Sequence, residues 1–199
     1  MKGFKAYDIR GIYNKDFNKE DVYRLGYFLP ELVNVNKILV GRDVRLSSQE
    51  VFDYLVKGIT ERGVDVYDIG LSTTPMVYFA TGKHQFKTSV QITASHNPKE
   101  YNGFKISGEN VVPIGFNNGL NILQERVQTG EIEPAPAKGK IIPMDIRQEY
   151  IDFLTAYKNE NISKLKIGID CSNGMASLII KELLGNLPCY IHCKPDGTF

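Results

Sequence analysis

Val90-Gln91-Ile92-Thr93-Ala94-Ser95-His96-Asn97-Pro98, running on to Tyr101-Asn102-Gly103-Phe104-Lys105, decides how this chain is read. Residues 90–93 are apolar and β-prone, so they read as a strand. Pro98 cannot donate to a sheet ladder, and it drives Asn97 toward extended backbone. Ser95 therefore stands on a constrained loop at a strand end, where open α/β sheets place their ligands. Asn102-Gly103 reads as a turn. Beyond it Phe104 and Ile106 share one strand face while Lys105 and Ser107 share the other. Such a return brings Lys105 back beside Ser95, and a hydroxyl near an ammonium suits phosphoryl transfer. The same residues also describe an ordinary polar loop beside a hairpin.

Outward from this stretch, strand-like and helix-like segments alternate, the pattern of an α/β fold. Residues 4–9 make the first strand candidate. Asn18 is placed to cap a helix over Lys19–Val33, with Val22, Leu25, Phe28, Leu29 and Leu32 at helical spacing. Residues 37–41 read as a buried strand. Ser47 and Glu50 form a capping box for a helix that carries Val51, Phe52, Leu55 and Ile59 and stops at Gly63. A strand over 64–69 and a helix opened by Thr74-Pro75 follow. Residues 103–106 and 111–114 are expected to pair as a hairpin, with a helix over 116–128 after it. Residues 130–140, rich in Pro, Gly and Ala, read as a linker. A helix near 145–157, a strand (165–170), a helix (175–184) and a strand (189–193) complete the chain.

The totals are those of a water-exposed globular chain. Lys and Arg number 24 against 23 Asp and Glu, a net charge of +1, so no global pull toward nucleic acid or an anionic membrane is expected. The opening residues carry no apolar signal core, and the apolar runs are too short to span a bilayer. Three cysteines, an odd number, argue against a disulfide framework and for a reduced, cytoplasmic setting. In a strand, Cys189 and Cys193 share a face and His192 points away, which makes a poor zinc site. Cys189 and Cys193 are expected to be core residues rather than metal ligands.

Thr93–Pro98 with Tyr101–Lys105 resembles the phosphoserine loop of the α-D-phosphohexomutases, without a gap. Three further stretches resemble that family's motifs in the same order: Tyr7-Asp8-Ile9-Arg10-Gly11, then Gly41-Arg42-Asp43-Val44-Arg45-Leu46-Ser47-Ser48, then Asp170-Cys171-Ser172-Asn173-Gly174. The first of these and the wording KEYNGFK are similar to the phosphomannomutase/phosphoglucomutase subgroup rather than to phosphoglucosamine mutases. Met175-Ala176 departs from the glycine usual after the last motif.

The resemblance implies a mixed-sheet α/β/α first domain over residues 1–135 and the first part of a second domain of similar type over 141–199. It implies an enzyme that interconverts hexose 1-phosphate and 6-phosphate, of glucose or mannose, through a hexose 1,6-bisphosphate. Ser95 would carry the phosphoryl group and, through it, help hold Mg²⁺. Lys105 would be the general acid/base; a lysine accepts a proton only in its neutral form, which a cation such as Arg10 nearby favours. Arg10 would grip phosphate with its guanidinium fork. His96 would orient substrate, because a neighbour in sequence is badly placed to act as a triad base. Asn97 and Lys99 would add phosphate contacts. Arg42 and Arg45 belong to the same binding region, chiefly by holding the loop, with Asp43 pairing with either.

The family's D-x-D-x-D-R metal loop, its G-E-x-S-G sugar loop and its S-G-T-E-P phosphate loop do not occur in this sequence. The expectation is a chain that holds the first domain and part of the second, without substantial mutase turnover by itself. Rival readings lack support. No G-x-S-x-G marks a serine hydrolase and no P-loop marks a kinase. A non-catalytic phosphosugar-binding or interaction module of the same fold is the remaining alternative.

Overall fold

The computed structural model describes residues 1–133 and 135–199, with Glu160 described through its backbone alone; Pro134, inside the segment read as a linker, lies outside the described residues. Strand β1 spans Ile9–Ile12. The first strand thus starts later than its apolar alternation predicts. Residues 5–8 form a tight turn closed by Lys5 N to Asp8 O at 2.8 Å, so Phe4 only bridges back to Ile9. Helix α1 (Lys19–Val33) begins where the Asn18 side chain accepts from the Glu20 and Asp21 amides, while Asp21 accepts from the Asn18 amide. This is the reciprocal cap that satisfies otherwise orphaned helix-start donors.

Strand β2 (Lys37–Arg42) shows how the layers arise. Ile38 and Val40 face the core shared with α1, while Leu39 points to the opposite side, into a second core. A strand with apolar residues on both faces must be covered on both. Helix α2 (Ser48–Glu61) packs against α1 on the first face. The expected capping box at its start does not form, because the Ser47 hydroxyl instead accepts from Asn102 Nδ2 at 2.9 Å. Strand β3 (Asp65–Leu71) follows, then α3 (Thr74–Lys83), capped by Thr73 with Pro75 in its first turn.

Strands β4 (Ser89–Ile92) and β5 (Tyr101–Ser107) pair antiparallel. Asn102-Gly103 is not a turn but lies within β5, and β5 is wedged between β1 and β4 rather than forming a hairpin with 111–114. The Ser107–Pro113 bridge, Gly108 N to Val112 O and Ile114 N to Ile106 O tie that segment on. The predicted helix over 116–128 is split at Gly119 (φ +147°) into a 3₁₀ turn and α4 (Leu120–Thr129).

After the linker segment the chain returns to the same sheet. Strand β6 (Ile141–Pro143) pairs parallel with β3, and α5 (Arg147–Thr155) sets Tyr150 against the Met76–Ala80 side of the second core. Among the described residues the main sheet is six-stranded, in the order β1-β5-β4-β2-β3-β6, with β2, β3, β4 and β6 parallel. Strands β7 (Gly168–Asp170) and β8 (Cys189–Ile191) form a separate parallel pair, connected through α6 (Ile180–Leu184). The terminal segment reaches back to the loop after β2, where the Phe199 ring lies 5.2 Å from the Arg45 guanidinium carbon.

Candidate active site at the ends of β2 and β4

Parallel neighbours β2 and β4 end side by side, so the loops that follow them meet. The loop after β2 carries Asp43 and Arg45, both buried, and the loop after β4 carries Ser95. Arg45 is the fastener between them. Its Nε donates to Asp43 Oδ2 at 3.0 Å, Nη1 donates to the carbonyls of Pro98 and Tyr101, and Nη2 donates to those of Ser95 and Asn97. All four carbonyl contacts lie between 2.7 and 2.9 Å. A buried guanidinium is tolerable only when its charge is paired and its donors are used, and both conditions hold here.

A second network backs the first. Asp43 also accepts from the Arg45 amide and from Ser48 Oγ, and fully buried Asn102 donates to Ser47 Oγ and Ser48 Oγ. Gly103 is required beside it: a Cβ there would stand 2.0 Å from the Ile9 carbonyl oxygen. That close approach draws β1 against β5 and brings Arg10 opposite Gly103.

Ser95 is exposed and has φ +58°, a left-handed conformation that costs energy in a residue with a Cβ. The Arg45 clamp on its carbonyl and an amide bond to Thr93 Oγ1 at 2.9 Å hold it there. The imidazole of His96 does reach the serine oxygen, with Nδ1 3.3 Å from Oγ, against the expectation from sequence adjacency. The left-handed turn at Ser95 is what folds the two side chains toward one another. Among the described residues, no carboxylate bonds the other nitrogen of His96, so no triad is assembled.

Beside the loop lies a charged cluster. Arg10 donates to Asn97 Oδ1 at 2.6 Å and to Asp8 Oδ2 at 2.5 Å, and Lys105 Nζ lies 3.4 Å from the same Asp8 oxygen. The β1–β5 register explains this: one step beyond Ile9–Phe104, Asp8 falls across from Lys105. Lys105 therefore meets a carboxylate first, where sequence reasoning pictured cations alone. Lys99 is exposed on the same loop. Arg42 is not drawn into this cluster; it pairs with Asp68 at 3.0 Å and lies over the Phe52 ring.

Sequence reasoning misses Asp8 as a site residue and Asn102 as a network member. Asp8 could have been found from its two-residue spacing to Arg10 on one strand face. The Asn102 role depends on strand order and carries no local signal.

The fold and the site together define an α/β/α protein whose candidate reactive group is a clamped, outward-facing serine beside a mixed arginine–lysine–aspartate cluster. The profile for "Phosphoglucomutase/phosphomannomutase, alpha/beta/alpha domain I" matches residues 1–131. A phosphomannomutase of Salmonella montevideo is 37% identical over 207 residues, covering 98% of this chain and 45% of that protein. A phosphomannomutase of Klebsiella pneumoniae is 40% identical over 151 residues, covering 75% of this chain and 96% of that one. The crystal structure of a phosphoglucomutase/phosphomannomutase family protein from Burkholderia thailandensis superposes with a TM-score of 0.82 at 28% identity, over 98% of this chain and 45% of that one. This chain belongs to the phosphoglucomutase/phosphomannomutase family. It spans less than half the length of the Salmonella relative.

Proposed function

We propose that this chain carries the phosphoserine half of a phosphohexomutase that moves a phosphoryl group between the 1- and 6-positions of glucose or mannose phosphate. The observation that carries the proposal is the strained, solvent-facing Ser95 on a loop whose carbonyls, its own among them, accept four hydrogen bonds from one buried arginine. Such fixing suits a group that must donate and accept phosphate in one orientation.

In the proposed transfer the bond from phosphorus to Ser95 Oγ breaks as a sugar hydroxyl oxygen bonds to phosphorus. The hydroxyl proton passes to Lys105 in its neutral form, and Oγ takes up a proton for which His96 Nδ1, 3.3 Å away, is the nearest source. The reverse exchange, from the other end of the 1,6-bisphosphate, restores phosphoserine. Arg10 stabilises the charge spread over the phosphoryl oxygens, with Asn97 fixing its fork and Lys99 adding charge at the rim. Arg45 contributes by holding the loop, and Arg42 by holding β2 to β3.

Mg²⁺ is part of the proposal for the whole mutase. The donor set in this chain does not fit that ion by itself. Among the described residues, no three His, Cys, Asp or Glu side chains gather to hold a metal, and Mg²⁺ demands near-octahedral oxygen ligation. The division into a first domain over 1–135 and the start of a second over 141–199 is likewise a proposal, with β6 and α5 packed on the first sheet. Among the described residues no helix is long and apolar enough to cross a membrane; a cytoplasmic setting belongs to the same reading.

Intact-mass analysis after incubation with glucose 1,6-bisphosphate tests the proposal. One phosphoryl group is expected on the wild type and none on Ser95→Ala. A wild-type chain that gains no mass would favour a phosphosugar-binding module instead, and equal labelling of both chains would remove Ser95 as the nucleophile.

A further inference from the structure

Away from the serine loop, two of the three cysteines meet. Cys171 directly follows β7 and Cys193 lies two residues beyond β8, so the parallel pairing of those strands brings them together. Their sulfurs are 3.2 Å apart. The backbone around them is already fixed: Cys171 N donates to Ile191 O, Asn173 N to His192 O and Asn173 Nδ2 to Lys194 O, all between 2.8 and 3.1 Å. Cys189 is exposed on β8 and makes no sulfur contact among the described residues. The expectation that Cys189 and Cys193 are core residues is therefore not met: Cys189 is exposed and Cys193 half-buried, while Cys171 is the buried one.

We propose that Cys171 and Cys193 are a reversible disulfide-forming pair, closed by a two-electron oxidant of the peroxide class and reopened by a dithiol. The chemistry balances in two steps. The partly exposed Cys193 thiolate attacks a peroxide oxygen, the O–O bond breaks, and Cys193 becomes a sulfenic acid as hydroxide leaves. Cys171 sulfur then attacks Cys193 sulfur, the S–O bond breaks, and the oxygen departs as water with the second proton. Two thiols and one hydrogen peroxide give one disulfide and two waters. Burial, with the hydrogen bond to Cys193, pushes the Cys171 thiol up to about 11, which makes it the resolving partner rather than the first to react.

The bond would close a loop over α6 and tie the Asp170–Gly174 turn to the segment that leads to Phe199. That segment already touches the site: a Cβ on Gly197 would stand 2.4 Å from Val44 O, and Phe199 covers Arg45. The pair stands independently of the phosphoryl-transfer reading, since neither sulfur touches the serine loop.

The test uses the 199-residue chain, wild type and Cys189→Ser, the latter altering only an exposed side chain. Each is treated with hydrogen peroxide, then alkylated and mapped by mass spectrometry. Both should lose the mass of two hydrogen atoms, recover on dithiothreitol treatment, and give one cross-linked peptide pair containing residues 171 and 193. Wild type should retain one alkylatable thiol, at Cys189. A bond through Cys189, a disulfide between chains, or oxidation to sulfinic acid with no bridge would overturn the proposal.

Discussion

Arg45 and Ser95 show how one residue's chemistry depends on another's burial. The Arg45 side chain is 0% exposed and its partner Asp43 7%, so removing the cation strands a buried carboxylate. Arg45→Met should lower unfolding stability by about 3–5 kcal/mol, read as a fall in the urea midpoint. The same variant should loosen residues 95–101, with loss of phosphoryl labelling even in chains that stay folded. The strand-end, loop position of Ser95 is legible from sequence, because a strand end, a proline and an ordered motif set all act locally. Its clamp is only half legible: the motif suggests that Arg45 holds the loop, but its four carbonyl acceptors come from tertiary placement. A separate expectation concerns Tyr23. Burial, then its 2.7 Å bond to Glu61, pushes its hydroxyl up to about 12. Its folded value lies above its unfolded value near 10, so its stabilising effect is complete below pH 10 and is lost as pH rises through about 12. Alkaline titration followed by tyrosinate absorbance should show a late-ionising group that Tyr23→Phe removes.

At the scale of elements, the α1–α2 contact is set by two glycines. A Cβ on Gly26 would lie 2.1 Å from Leu55 O, and one on Gly58 would lie 2.1 Å from Tyr23 O. Alanine at either position must push the helices apart. Each variant should cost roughly 1–3 kcal/mol through overpacking, with a lower thermal midpoint and unchanged helical circular dichroism. Helix α1 was legible to the residue, since its cap and its apolar stripe agree on both ends. The strands were less so. Residues 4–9 alternate as a strand should, but a turn consumes their first half. Asn102-Gly103 has turn chemistry, yet neighbours on both sides of β5 supply its hydrogen bonds and hold it extended. Local preference lost to sheet order in both places, and sheet order is not written in any short stretch.

Across the whole molecule, order is uneven. Helices α1, α2 and α4 share one core and α3 packs into a second, whereas in the 165–199 stretch only Cys171 among the hydrophobic residues is buried. Local opening costs least where few apolar groups are covered. Hydrogen exchange should therefore be fast at the β7 and β8 amides and slow at those of β2 and β4; equal protection would contradict the structure. The alternation of strands and helices revealed the class of the fold, but the return of β6 and α5 to the first sheet was hidden, because a linker's composition does not say where the chain lands. The clamp has a further consequence. Arg45 grips only carbonyl oxygens in the serine loop, and every amino acid presents the same carbonyl. The loop's outline is thereby uncoupled from the identity of the side chains it displays, so residues 96, 97 and 99 could be exchanged to retune what the serine meets while the scaffold beneath keeps its shape.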